Sequence, residues 1–73
     1  MRILLVEDDP RMTVLLCRGL SEEGHVVDAT DTGRVALDVA RGAEFDAMVF
    51  DVMLPDIQGV DLVRALRGEG NRT

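Results

Sequence analysis

The sequence predicts an α/β fold in which parallel strands alternate with helices. Three observations carry this. Two short runs, Ile3-Leu4-Leu5-Val6 and Ala47-Met48-Val49-Phe50, are apolar at every position, as in strands buried on both faces. Each run stops abruptly at an acid, Glu7 or Asp51. Between and after them lie segments whose apolar residues recur at helical spacing, and strand–helix alternation implies parallel strands joined by right-handed crossovers.

The elements follow in order. The first strand is Ile3–Val6. Asp9-Pro10 reads as a helix start, Asp as the N-cap and Pro at the first helical position. Met12, Leu15, Leu16 and Leu20 form that helix's apolar stripe, and Gly24 stands where a left-handed residue closes it. His25 to Ala29 form a second, more polar strand, placed at a sheet edge. Thr30-Asp31-Thr32-Gly33 is a turn cluster. Val35, Ala36, Val39 and Ala40 mark the second helix, which Gly42 ends. Ala47–Phe50 is the third strand. A loop from Val52 to Gly59, holding Pro55, leads to a third helix that turns Val60, Val63, Ala65 and Leu66 toward the sheet, with Leu62 beside them. Gly68-Glu69-Gly70-Asn71 reads as a linker.

Composition narrows the function. The chain has 73 residues, 8 basic and 14 acidic, with a net charge of −6, so it repels nucleic-acid phosphate and anionic lipid. All the basic residues are Arg, so a lysine base, Schiff base or P-loop lysine is impossible within it. No apolar run approaches the roughly 20 residues of a membrane span. A soluble cytoplasmic domain is expected, its stability marginal at this length. Cys17 and His25 read as packing or surface residues, since neither has the partners of a metal or disulfide site.

The chemistry gathers at the strand ends. If the two apolar strands are parallel neighbours, Glu7, Asp8 and Asp51 crowd one crevice beyond their carboxyl ends, where ligands bind in such sheets. Three carboxylates there repel one another unless a cation sits between them, and a hard divalent ion such as Mg²⁺ is the natural occupant. Asp51 can also act as a nucleophile toward phosphorus, forming an acyl phosphate.

Ile3-Leu4-Leu5-Val6-Glu7-Asp8-Asp9, followed 43 residues after Asp8 by Asp51-Val52-Met53-Leu54-Pro55 and then Gly59, resembles the receiver domain of bacterial two-component response regulators. The OmpR-type transcription-factor receivers are the nearest in pattern. The resemblance implies the N-terminal β-α-β-α-β-α part of a flavodoxin-like (CheY-like) doubly wound parallel sheet of order 2-1-3-4-5, with strands 4 and 5 missing. It implies that Asp51 is the phosphoacceptor, served by the histidine of a sensor kinase. Asp8 and Asp51 would bind Mg²⁺ directly, Glu7 through a water, and Met53 through its backbone carbonyl; Pro55 and Gly59 would shape the loop. The family's phosphoryl-contacting Ser or Thr falls past Thr73 and its Lys is absent, while Gln58 stands where an acid or Asn is common.

Residues 1–73 are therefore expected to be a partial receiver domain, a signalling module rather than an enzyme, and by itself an impaired phosphoacceptor. DNA would be reached only through an effector domain outside these residues. An open apolar edge at Ala47–Phe50 predicts a strand-paired or swapped homodimer. The competing expectation is a small stand-alone α/β interaction module without phosphotransfer.

Overall fold

The computed structural model describes residues 1–51 and 54–73. The elements are β1 (Arg2–Val6), α1 (Pro10–Glu22), β2 (Val26–Thr30), α2 (Gly33–Gly42), β3 (Ala47–Phe50) and α3 (Gly59–Gly68). The strands form one parallel sheet of order β2-β1-β3, with Val6 level with Thr30 on one side and with Phe50 on the other. β1 is thus central, and Ile3, Leu4, Leu5 and Val6 are all buried, as the unbroken apolar run predicts.

The chain moves from β1 to β2 in one direction across the sheet and from β2 to β3 in the other. Right-handed crossovers then place α1 on one face and α2 on the opposite one. The core follows this division. Leu4 and Val6 pack in one cluster with Ala36 and Ala40 of α2, Leu54, and Leu62 and Leu66 of α3. Strand alternation turns Ile3 and Leu5 to the α1 face. On α1 no residue is buried, and Leu15 is 62% exposed.

Local signals account for most of the boundaries. The Asp9 carboxylate accepts from the Arg11 N–H at 2.9 Å, the N-cap that Asp9-Pro10 announces. α1 ends in a Schellman arrangement: Gly24 has φ +86°, its N–H donates to Ser21 O, and the His25 N–H donates to Leu20 O. Because that N–H closes the helix, His25 lies before β2 rather than in it. At the other end of β2, Thr30 continues the strand beyond the expected turn, its carbonyl accepting from the Glu7 N–H at 3.0 Å.

Two expectations for α3 change. Val60 is 53% exposed and Leu62 is fully buried. The face shared by Leu62 and Leu66, four residues apart, meets the sheet, and Val60 lies about 200° out of phase with Leu62. The stretch Gly68–Asn71 is also no linker. Gly70 has φ +83°, its N–H donates to Arg67 O, and the Asn71 N–H donates to Leu66 O, a second Schellman closure.

Among the carboxylates that tie distant segments together, Glu69 and Asp56 join α2 to the C-terminal part of the chain. Glu69 accepts from Arg41 of α2 through two bonds of 2.7 and 2.8 Å, and Asp56 accepts from the backbone N–H groups of Gly33 and Arg34 at 2.8 and 2.9 Å. The Arg34 and Gly33 N–H bonds hold the Asp56 carboxyl below its ordinary value, and the Arg41 hydrogen bond does the same for Glu69. Such groups bind fewer protons folded than unfolded, so what they contribute is present above the ordinary carboxylate range and is lost as pH falls through the lowered values. Urea unfolding between pH 7 and pH 3 is expected to show this loss. An Asp56→Asn/Glu69→Gln double variant should show a flatter dependence, and an equal slope would exclude both groups as contributors.

Candidate metal centre

The register builds the site. Because Val6 pairs with Phe50 in parallel, the next residues, Glu7 and Asp51, emerge at the same level. The ladder extends past the strands: the Asp51 N–H donates to Val6 O at 3.0 Å, while Glu7 is held on the other side by Thr30 O. One carboxylate oxygen each from Glu7, Asp8 and Asp51 consequently lies within 4.8 Å of the other two. Glu7 and Asp51 are partly buried and Asp8 is exposed, so the cluster is rooted in the sheet and open to solvent on one side.

The surrounding bonds fix where the cluster begins. The Glu7 carboxylate accepts from the Asp9 N–H at 3.2 Å, and the Thr13 hydroxyl donates to Asp9 O at 3.0 Å. Asp9 therefore serves α1 as its cap, and the three-carboxylate group is the one read from the sequence. At such separations each ionised pair repels by about 1 kcal/mol in a water-like medium and about 4 at a protein surface. An oxygen-ligated divalent cation offsets that repulsion, and the donor set suits Mg²⁺ or a comparable hard ion. Met53, expected to add its carbonyl, lies outside the described residues.

A shallow cleft of about 340 Å³ lined by Glu7, Thr13, Ala29, Thr30, Asp31 and Val35 adjoins the cluster. A larger one, about 1020 Å³, opens at the opposite end of the sheet around Phe45, Asp46, Asn71 and Thr73. Volume alone would favour the larger, but it is the smaller that Glu7 lines, at the carboxyl end of the sheet where parallel sheets bind ligands.

Asp56 is the residue near the site that sequence reading passes over. Its bonds to Gly33 and Arg34 span 23 and 22 residues. The local signal at α2 is Thr32, whose hydroxyl accepts from the Val35 N–H at 3.3 Å, and nothing in the sequence announces a second carboxylate there.

Comparison with known proteins shows the family. Residues 3–73 match the family model described as the response regulator receiver domain. The chain belongs to that family. Among curated relatives, the transcriptional regulatory protein TcrA of Mycobacterium tuberculosis is 53% identical over 66 residues, covering 90% of this chain and 26% of its own length. CusR of Escherichia coli, also a transcriptional regulatory protein, is 42% identical over 67 residues, 92% of this chain and 30% of the relative. This chain thus spans under a third of the length of these relatives. In structure it is similar to the response regulator TrrA of Thermotoga maritima in complex with Mg(2+)-BeF, with TM-score 0.89 and 32% identity, covering 93% of this chain and 59% of that one. TrrA has also been solved in complex with the histidine kinase ThkA. The fold is accordingly CheY-like, and the family's role is two-component signalling.

Proposed function

We propose that Asp51 is the phosphoacceptor of this receiver, taking a phosphoryl group from the phosphohistidine of a sensor kinase with Mg²⁺ bound at Glu7, Asp8 and Asp51. The observation that carries this is the convergence of those three carboxylates at the ends of adjacent parallel strands. Asp8 and Asp51 would hold the ion directly and Glu7 through a water, with the Met53 carbonyl, outside the described residues, as the further ligand the family resemblance implies. A carboxylate oxygen of Asp51 attacks phosphorus, the P–N bond to the imidazole breaks, and the imidazole leaves with its electron pair and takes up a proton. When bound, Mg²⁺ supplies positive charge facing the oxygens of the transferring group. The role is signalling rather than turnover, exerted on an effector beyond these residues and, by the relatives' names, on transcription. DNA is reached only through that effector.

No helix among the described residues is long and apolar enough to cross a membrane, and a cytoplasmic setting goes with this reading. Residues 1–73 act as part of a receiver, and by themselves form a slow acceptor, with no lysine to meet the phosphoryl oxygens. Incubation with acetyl phosphate and Mg²⁺ tests the proposal against a stand-alone interaction module. Intact-mass analysis should show one phosphoryl adduct mapping to Asp51, and its complete absence, with no response to beryllium fluoride, would favour the module.

Self-association is the second partner expectation. β3 has no strand on its outer side among the described residues, and Val49 is 41% exposed. Sedimentation velocity is expected to show a dimer growing with concentration, and a single monomeric boundary at high concentration would remove it.

A further inference from the structure

Among the described residues that lead from β3 into α3, Asp56 and Gly59 make close tertiary contacts. Gly59 comes so close to the strand terminus that a Cβ there would stand 2.8 and 2.9 Å from Phe50 ring carbons and 3.1 Å from Asp51 O. Asp56 grips the first turn of α2, Oδ1 on the Gly33 N–H and Oδ2 on the Arg34 N–H. Ile57 closes over the same turn, since a Cβ at Gly33 would collide with Ile57 Cγ2. A helix start leaves four N–H groups without intrahelical partners. Thr32 already satisfies one locally, from within its own turn. What Asp56 adds is a link between that turn and the residues that lead into α3.

We propose that Asp56 is a positioning residue for the acidic crevice: by tying residues 56–59 to the first turn of α2, it supports from behind the Asp51 carboxylate whose level beside Glu7 the strand ladder sets. The inference rests on the metal reading given above. A site's ligands keep their geometry only when the groups behind them are themselves fixed, and loosening that support weakens the metal. α2 thereby becomes part of the site's frame although it contributes no ligand. Gly33 at its first position leaves room for Ile57, with which a Cβ would collide, while the Asp56 carboxylate would lie 3.4 Å from that Cβ, in ordinary contact.

The test compares Asp56→Ala, Asp56→Asn and Thr32→Ala in the whole 73-residue chain. Thr32→Ala removes a cap from the same helix turn without touching the link, so it reports what mere capping does. Magnesium titration by calorimetry is expected to show about 3- to 10-fold weaker binding for Asp56→Ala, partial rescue in Asp56→Asn, and less than about 2-fold change in Thr32→Ala. Asparagine keeps one acceptor oxygen, and that variant serves if the alanine form does not fold. Amide exchange over residues 54–62 should accelerate in Asp56→Ala and not in Thr32→Ala.

Parallel losses in Asp56→Ala and Thr32→Ala, tracking their melting temperatures, would overturn the proposal and leave Asp56 a cap. Unchanged exchange in both Asp56 variants would overturn it as well. If the parent chain binds no magnesium, the metal reading fails on its own. The exchange comparison then decides the clamp: selective acceleration in the Asp56 variants supports it, and no difference removes it.

Discussion

The Asp51→Asn variant is expected to gain no phosphoryl adduct from acetyl phosphate and Mg²⁺, where the parent chain gains one slowly. An amide oxygen is no substitute for the carboxylate nucleophile, so the loss should be complete rather than partial. The same variant separates loss of chemistry from loss of fold. Asp51 is one of three carboxylates within 4.8 Å, so neutralising it removes repulsion that the metal-free protein carries. Without Mg²⁺ the variant should therefore melt higher than the parent, by about 4–8 °C if about 1 kcal/mol is relieved. Adding Mg²⁺ should reverse the order. At ten times its Kd, an ion that binds only the folded state stabilises by about 1.4 kcal/mol, a gain open to the parent and denied to the variant. Scanning calorimetry with and without Mg²⁺ reads both effects. A parent chain whose melting ignores Mg²⁺, or an adduct that survives Asp51→Asn, would refute the assignment.

Leu4→Ala should come close to unfolding the protein. Leu4 is 0% exposed at the middle of the central strand and packs in the cluster of Ala36, Leu62 and Leu66. Truncating such a leucine costs about 2–5 kcal/mol, because packing from both α2 and α3 is lost at once. A chain of this size holds about 4–11 kcal/mol in total, so up to half or more of the stability goes with one side chain. The control is Leu15→Ala on α1, exposed and expected to shift stability by less than about 0.5 kcal/mol. Urea midpoints for the two variants give the comparison, and similar values would mean that the core is not where the structure puts it.

What could be read in the sequence was local. The four-residue apolar run at Ile3–Val6 identifies a strand buried on both faces, and Asp9-Pro10 and Gly24 delimit α1 because capping chemistry acts within a few residues. The candidate acids follow the same logic, since Glu7 and Asp51 are where apolar strands stop. The departures share one physical origin. His25 is excluded from β2 because its N–H closes α1, and Thr30 joins the strand because its carbonyl meets Glu7. Val60 faces outward because the phase of α3 is set by what lies beneath Leu62 and Leu66. Gly70 terminates α3 through bonds to Arg67 and Leu66, whereas its composition alone looks like linker. Asp56 was invisible because its partners lie more than twenty residues away.

The sequence by itself determined the alternation of strands and helices, their approximate limits and the acids that end the apolar strands. Periodicity, capping and turn chemistry are short-range, and each is written into a few neighbouring residues. That β1 sits between β2 and β3 is offered by the family resemblance and by no local pattern; the tertiary structure decided the register, Val6 level with Phe50, by which three carboxylates 44 residues apart in sequence at the extremes meet within 4.8 Å. It also decided that Asp56 belongs to the first turn of α2. Both outcomes depend on pairing and burial between distant segments, which no local pattern encodes.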